Sequence, residues 1–192
     1  MSEILLLDNF DSFLYNLVDL LRKNSSKVTV YRNNVSISEI IKKISHMKNP
    51  ILILSPGPGY PIKAGNMMQI LSIFKNKIPI LGICLGYQAI IQLYGGKICH
   101  TKKIIHGKSS LIYHDQKKMF HNIKNPMKVA RYHSLICKNI PKNFIINAQK
   151  KNIVMSVRDN ISKICGFQFH PESILTPIGE KILKNTIQWM DT

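Results

Sequence analysis

Acidic residues are scarce in this chain: 10 Asp and Glu stand against 27 Lys and Arg, so the formal net charge is +17. A charge of this size can mark a nucleic-acid binder. The lysines, however, are scattered as doublets such as Lys42-Lys43 and Lys150-Lys151, and no DNA- or RNA-binding signature is present. We therefore interpret the charge as a solvated basic surface, with steering of an anionic substrate or an acidic partner as the alternative.

Cysteines are few and long apolar runs are missing. The four cysteines form no C-x-x-C pair, which argues against a zinc or thioredoxin-type motif, and we expect four free thiols. No segment approaches the ~18 unbroken apolar residues that a membrane span needs. The N-terminus has an acid, Glu3, directly before an apolar run of strand length, and does not resemble a secretory signal. We expect a cytoplasmic protein without a membrane partner.

The organisation of the chain predicts a single domain over residues 1–192. Alternating strand and helix patterns predict an α/β fold: a doubly wound, mostly parallel sheet flanked by helices. From about 97 to 169 short strands with turn residues between them predict an antiparallel-rich insertion. Strands are predicted at 3–7, 27–31, 51–54, 78–83 and 163–169. Helices are predicted after Asp11, after Ser36, over 66–75, from Cys84 to Tyr94 and over 178–190.

Two of the predicted helices carry capping signals. Asp11 can cap the first helix, and Ser36 with Glu39 forms an S-x-x-E capping box for the second. Apolar residues at helical spacing predict the buried faces. For the first helix these are Phe13, Leu14, Leu17, Val18 and Leu21, and for the second Ile37, Ile40, Ile41 and Ile44.

The first motif with chemical meaning is Gly82–Gly86, which reads G-I-C-L-G between a predicted strand and a predicted helix. Such a junction is the thiol version of a nucleophile elbow. It would lift Cys84 above the carboxyl edge of the sheet and place it at a helix N-terminus, which favours a thiolate. The N–H of Leu85 could then donate to an oxyanion. The alternative is a buried cysteine in a tight strand-to-helix turn.

A second motif, Gln168–Ser173, reads Q-F-H-P-E-S at the end of the last predicted strand. Pro171 favours an extended conformation at His170, so that His170 and Glu172 project to the same side. A carboxylate that holds one imidazole nitrogen leaves the other for a thiol, as in a catalytic triad. The alternative is a surface histidine beside an unrelated glutamate.

Two further segments are weaker signals. Ser55–Gly59 (S-P-G-P-G) is a rigid loop that could supply a second oxyanion donor or be only a turn, and it lacks the ending of a phosphate loop. Arg131–Leu135 (R-Y-H-S-L) is a polar and aromatic cluster that could also be ordinary surface. The other histidines show no metal-ligand spacing, and we predict no metal site.

Taken together, these blocks resemble the class I (triad-type) glutamine amidotransferase family over nearly the whole chain. The opening segment Asp8–Ser12, the tripeptide His106-Gly107-Lys108 and the segment Arg131–Leu135 are similar to its chorismate-utilising branch. Within that branch the resemblance is closest to the glutaminase components of anthranilate synthases, which serve tryptophan biosynthesis. The sister subunits of aminodeoxychorismate synthase, or one subunit shared by both enzymes, remain alternatives. Tyr87 departs from the family, which usually has His there.

The resemblance implies roles for individual residues. Cys84 would be the nucleophile, His170 the base and acid, and Glu172 the residue that orients the imidazole. Gly57 and Leu85 would supply the N–H groups of the oxyanion hole. The residues expected to bind glutamine are Gly57, Gln88, Ser134 and Leu135, the last two through their backbone.

The resemblance also implies partners. L-glutamine would be hydrolysed through a thioester, and the ammonia would pass to a chorismate-binding synthase subunit, in a heterotetramer with two copies of each chain. No cofactor is expected in this subunit, since the family's Mg²⁺ belongs to the partner. Rival hypotheses are a non-catalytic regulatory module on the same fold, a thiol hydrolase or peptidase, and a nucleic-acid binder.

Overall fold

The computed structural model describes residues 2–25, 27–101 and 107–192. In the first half, parallel strands alternate with helices that cross from one strand to the next. The strands are β1 (Glu3–Asp8), β2 (Lys27–Arg32), β3 (Pro50–Leu54) and β4 (Ile80–Ile83), and the helices are α1 (Leu14–Arg22), α2 (Ile37–Ser45), α3 (Met67–Phe74) and α4 (Leu85–Leu93). β1 pairs in parallel with β2 and β3, and β3 pairs in parallel with β4.

The second half is rich in antiparallel pairs. Its elements are β5 (Lys97–His100), β6 (Lys108–His114), β7 (Met127–Arg131), β8 (Leu135–Lys138), β9 (Ile145–Lys150), β10 (Ile153–Asp159), β11 (Ile164–Phe167) and α5 (Gly179–Met190). In the described part of the chain the strand order is β2-β1-β3-β4-β11-β10-β9-β6-β7, with β5 and β8 as a separate pair. β11 joins the two halves, because it is parallel to β4 and antiparallel to β10. The predicted α/β class is confirmed.

The apolar runs of the central strands are explained by helices on both faces of the sheet. Alternate residues of β1 enter opposite cores, with Ile4 and Leu6 in one and Leu5 and Leu7 in the other. The first core is covered by α1 and α5, and the second by α2, α3 and α4. A strand that is buried on both faces needs no polar alternation, which is why Ile4–Leu7 reads as a continuous apolar segment.

Two predicted core positions are wrong. The side chain of Phe13 is 46% exposed and that of Ile41 is 44% exposed. Helix α1 begins only at Leu14, so Phe13 lies on the preceding turn, and the carboxylate of Asp11 accepts a hydrogen bond from the Phe13 N–H rather than capping the helix itself. Ile41 lies at the edge of the apolar stripe of α2, beyond the part that the sheet covers.

Other local predictions agree with the structure. In the capping box, Ser36 Oγ accepts a hydrogen bond from the Glu39 N–H at 3.3 Å. All four cysteines are free thiols. The predicted last strand is shorter than expected, because it ends at Phe167. Over the described ranges, no helix combines the length and apolarity needed to cross a lipid bilayer.

Candidate active site

The Cys84 turn is shaped by close contacts that only glycine allows. A Cβ on Gly82 would lie 2.4 Å from the backbone of Gly86, and a Cβ on Gly86 would lie 2.4 Å from the carbonyl oxygen of Leu54. Cys84 itself has φ 50° and ψ −96°, and α4 begins at the next residue. The tight turn lifts the sulfur to the carboxyl edge of the sheet, at the N-terminus of a helix, as the pentapeptide predicted.

The imidazole of His170 is held by a carboxylate. Its Nδ1 lies 2.6 Å from Glu172 Oε1, and both residues are 5% exposed. The backbone of His170 is fixed as well: its N–H donates to the Ala130 carbonyl at 3.1 Å, and its carbonyl accepts from Thr176 Oγ1 at 2.7 Å. The segment after β11 therefore presents the ring in one orientation.

The second ring nitrogen, Nε2, makes no hydrogen bond of ordinary geometry within the described residues. Burial alone would lower the pKa of His170. The charge of the Cys84 sulfur and a contact with it, followed by the hydrogen bond and the charge of Glu172, outweigh burial and raise the pKa well above the ordinary value of 6.5. The imidazole is thus prepared to hold a proton beside a thiolate.

Cys84 and His170 line one cavity, of about 230 Å³, which we call the imidazole-side cavity. Its other lining residues are Phe10, Asp11, Ser12, Phe13, Pro56, Gly57, Pro58 and Tyr132. The ring of Tyr132 meets the His170 ring edge-on, with 5.0 Å between centroids. The structure therefore brings the predicted nucleophile and the predicted base to a common space.

A second cavity, of about 210 Å³, shares Gly57, Pro58, Cys84 and Tyr132 with the first, and we call it the glutamine-side cavity. It contains every residue that was predicted to bind glutamine or to form the oxyanion hole. Its lining residues are Gly57, Pro58, Gly59, Cys84, Leu85, Gln88, Tyr132, His133, Ser134 and Leu135. Cys84 thus lines both cavities.

His133 supports the backbone of the glutamine-side cavity, a role that the sequence did not predict. Its Nε2 accepts a hydrogen bond from Arg131 Nε at 3.1 Å, and its Nδ1 lies 2.8 Å from the Leu135 carbonyl oxygen. Burial, and then the charge of Arg131, lower the pKa of His133 to about 4. The ring is therefore neutral, and because guanidinium can only donate, the proton is on Nδ1 and points at Leu135.

Within the described residues, the carbonyl oxygens of Ser134 and Leu135 each accept a hydrogen bond. The Ser134 oxygen accepts from the Thr101 N–H at 2.8 Å, and the Leu135 oxygen is the acceptor of His133. Each oxygen keeps a second lone pair, which a ligand's amino group can use. These contacts are compatible with the predicted backbone role of both residues.

Asn9 fixes the loop that carries Gly57. Its N–H donates to Ser55 Oγ at 2.8 Å, and its side-chain Nδ2 donates to the Ser55 carbonyl at 2.9 Å. A Cβ on Gly57 would lie 2.5 Å from the Asn9 carbonyl oxygen, so the loop needs glycine there. The sequence marks Asn9 only as part of the opening segment. Its partners are 46 positions away, which no local pattern reveals.

Asp11 is a titratable group that faces the imidazole-side cavity. Burial, and then the negative charge of Glu172, raise its pKa to about 6, although His170 and the Phe13 N–H act in the opposite direction. This carboxyl therefore shares an electrostatic environment with the predicted base.

Tyr87 lines neither cavity. It is fully buried and packs against Gly166 of β11, where a Cβ would lie 2.6 Å from the tyrosine ring. The departure from His thus affects packing beneath the nucleophile. His106, from the predicted family tripeptide, lies outside the described residues.

A turn that places Cys84 in the lining of two adjoining cavities, with a carboxylate-held imidazole in one of them, is typical of a thiol-dependent amidase. The chain belongs to the class I glutamine amidotransferase family, whose model matches residues 5–189. It is 56% identical over 189 residues to the anthranilate synthase component 2 of Buchnera aphidicola subsp. Schizaphis graminum, covering 98% of this chain and 96% of that protein. Over 190 residues it is 48% identical to the Haemophilus influenzae protein of the same name, covering 99% and 98%.

Solved structures agree on the fold. A Thermoplasma acidophilum protein, assigned as part of a GMP synthase, has a TM-score of 0.85 at 22% identity, covering 100% of this chain and 94% of that one. A glutamine amidotransferase from Thermotoga maritima has a TM-score of 0.71 at 17% identity, covering 98% and 95%. At these identities the likeness concerns the fold alone.

Proposed function

We propose that this chain is the glutaminase subunit of an anthranilate synthase, which releases ammonia from L-glutamine for a chorismate-binding synthase subunit. The observation that carries the proposal is that Cys84 lines both the glutamine-side cavity and the cavity that the imidazole of His170 lines. Near-complete matches to proteins named anthranilate synthase component 2, at 42–56% identity, support the choice of this branch.

The reaction begins with a proton transfer from Cys84 to His170, which the raised pKa of the imidazole favours. The thiolate attacks the amide carbon of glutamine, and the N–H groups of Gly57 and Leu85 donate to the oxyanion. One such donor typically contributes about 3 kcal/mol to lowering the barrier. His170 then protonates the leaving nitrogen, so that ammonia departs and a glutamyl thioester remains.

Hydrolysis of the thioester uses the same imidazole. His170 removes a proton from water, the hydroxide attacks the thioester carbon, and the sulfur leaves as thiolate with release of glutamate. Glu172 keeps Nδ1 protonated and stabilises the imidazolium through the 2.6 Å contact. The chain's own residues provide every group that these steps need.

Exposed aromatic residues around the imidazole-side cavity suit a docking surface for the synthase subunit. Phe10, Phe13 and Tyr15 are 50%, 46% and 79% exposed, and the first two line the mouth of this cavity. Ammonia released at His170 would enter the partner there without meeting bulk water, where it would become protonated. The proposed complex contains two copies of each subunit, and its Mg²⁺ is bound by the partner.

The test measures glutamate, ammonia and anthranilate from purified protein, with and without the chorismate-binding subunit. Cys84→Ser is expected to lose glutaminase activity by at least about a thousandfold. Cys99→Ser, which removes a partly exposed thiol on β5, is the matched control and should retain activity. Activity that survives Cys84→Ser would overturn the mechanism, and wild-type protein without glutaminase activity, alone or with the partner, is the result expected for a regulatory module. Ammonia transfer only to an aminodeoxychorismate-forming partner would overturn the pathway.

A further inference from the structure

The side chain of Gln168 lies directly beside the nucleophile and has no part in the steps above. It is fully buried, and its Nε2 donates a hydrogen bond to Cys84 Sγ at 3.7 Å. Its Oε1 accepts a hydrogen bond from Gln88 Nε2 at 3.3 Å. We propose that Gln168 is a positioning residue that holds the Cys84 sulfur in its attacking position and stabilises the thiolate, an inference that rests on Cys84 being the nucleophile.

The backbone around this contact is fixed by the sheet. The Gln168 N–H donates to the Met155 carbonyl of β10 at 2.9 Å, and the Cys84 N–H donates to the Phe167 carbonyl of β11 at 2.7 Å. Both ends of the amide–sulfur contact are therefore anchored at the carboxyl end of neighbouring strands. Strand pairing therefore fixes the two backbones from which the Nε2–Sγ contact is made.

The chemistry of a carboxamide suits this task. An N–H donor stabilises a sulfur more strongly when the sulfur is charged, so the contact favours the thiolate over the thiol. Gln168 cannot itself take the proton, and it leaves His170 as the proton acceptor. The hydrogen bond from Gln168 also restricts the side-chain rotamer of Cys84, which keeps the sulfur at the position where it lines both cavities.

Gln88 determines which way the Gln168 amide points. Because Oε1 of Gln168 accepts from Gln88, its NH₂ group is the end that faces the sulfur. Gln88 also lines the glutamine-side cavity. A short chain of hydrogen bonds therefore runs from a predicted substrate contact to the nucleophile, so that a ligand which orders Gln88 also orders the donor to Cys84.

The test is the pH profile of Cys84 alkylation by iodoacetamide, followed by mass spectrometry in a Cys99→Ser background. Gln168→Met keeps the length of the side chain and removes the donor. We expect the midpoint of its profile to move up by about one pH unit, and the alkylation rate at pH 7 to fall about tenfold. In the complex, kcat for glutamine should fall about tenfold, with KM changed by no more than about threefold.

The matched control is Gln92→Met, on the same helix as Gln88 and outside both cavities, which should leave the profile unchanged. Gln168→Glu places a carboxylate beside the sulfur, and its midpoint should rise further than that of Gln168→Met. A folded Gln168→Met with the wild-type profile would overturn the inference. It would leave the proposed function intact, since that depends on the loss of activity in Cys84→Ser.

A second measurement uses wild-type side chains in case the variants do not fold. The side-chain amide protons of Gln168, observed by ¹⁵N-resolved NMR, should shift as Cys84 titrates, and should not shift in Cys84→Ser. A Gln168 amide that is insensitive to the state of the sulfur in the wild-type protein would equally overturn the positioning role.

Discussion

The two cavities beside Cys84 differ in the groups that they offer. The glutamine-side cavity presents backbone groups, a carboxamide and the neutral imidazole of His133, whereas the imidazole-side cavity presents a carboxyl, the imidazole of His170 and exposed aromatic rings. The ring of Tyr132 lines both cavities. The first set suits recognition of an amino acid, and the second suits proton transfer and contact with another protein. Substitutions should therefore affect glutamine binding, proton transfer and contact with the partner subunit separately, although Cys84 lines both cavities.

The largest effect should come from the imidazole side. His170→Asn removes the proposed proton acceptor but keeps a polar side chain. We expect kcat of glutaminase to fall about a thousandfold, with little change in KM, because general acid–base catalysis contributes ~10²–10⁴-fold. Steady-state glutamate release measures both constants. His121→Asn, at an exposed position, is the control, and a KM effect larger than the kcat effect would contradict the division between the cavities.

On the glutamine side, Gln88→Met should act mainly on binding. The loss of one hydrogen bond to a charged substrate group typically costs about 2 kcal/mol, which corresponds to a roughly thirtyfold higher KM for glutamine. A smaller fall in kcat is expected, because Gln88 also contacts Gln168. Titration with glutamine checks the prediction. A lower kcat at unchanged KM would assign Gln88 to the chemical step instead.

Substitution of the exposed aromatic residues Phe10, Phe13 and Tyr15 should affect only the binding of the synthase partner. Phe13→Ser is expected to weaken binding to the synthase partner about tenfold, as removal of an interface aromatic commonly does, with glutamine KM unchanged. Calorimetry or co-migration with the partner measures this. The control is Ile161→Ser, which alters a 95% exposed residue in the turn between β10 and β11. Equal weakening by both variants would remove the proposed docking surface.

The smallest effect concerns Asp11 and depends on pH. Its pKa is about 6 in the folded protein against 3.8 ordinarily, so between pH 4 and 6 the folded state binds more protons than the unfolded state. Stability therefore falls as pH rises through this window. Asp11→Asn should raise the free energy of unfolding by about 1 kcal/mol at pH 7.5, after allowance for solvent screening, and by nothing below pH 4. Denaturant titration at both pH values measures it. A gain that persists below pH 4 would contradict this.

Local sequence patterns predict most of the strands and helices. The strands at 3–7, 27–31 and 51–54 could be located because apolar runs of strand length are bounded by turn residues and capping signals. Phe13 and Ile41 could not be placed correctly, because exposure at the edge of a helix depends on which neighbouring element covers it. The pairing of β5 with β8, apart from the main sheet, likewise depends on contacts that are distant in sequence.

The candidate site was predictable where its determinants are adjacent in the chain. The glycines around Cys84 encode the turn, and Pro171 between His170 and Glu172 encodes the imidazole–carboxylate pair. Family membership and the anthranilate branch are confirmed by the comparisons, while the roles of individual residues remain predictions. Asn9 and Gln168 were missed as supporting residues, because each bonds to a segment 46 or more positions away.

The backbone of Cys84 carries a consequence for how this protein can change. With φ 50° and ψ −96°, the residue occupies a region that side chains with a Cβ rarely adopt, at a cost of about 1–3 kcal/mol. Glycine would relax that strain, so the fold would gain stability by discarding its own nucleophile. Thermostability and turnover therefore compete at this position. A selection for thermostable variants that does not also require activity would favour Cys84→Gly, which has no nucleophile.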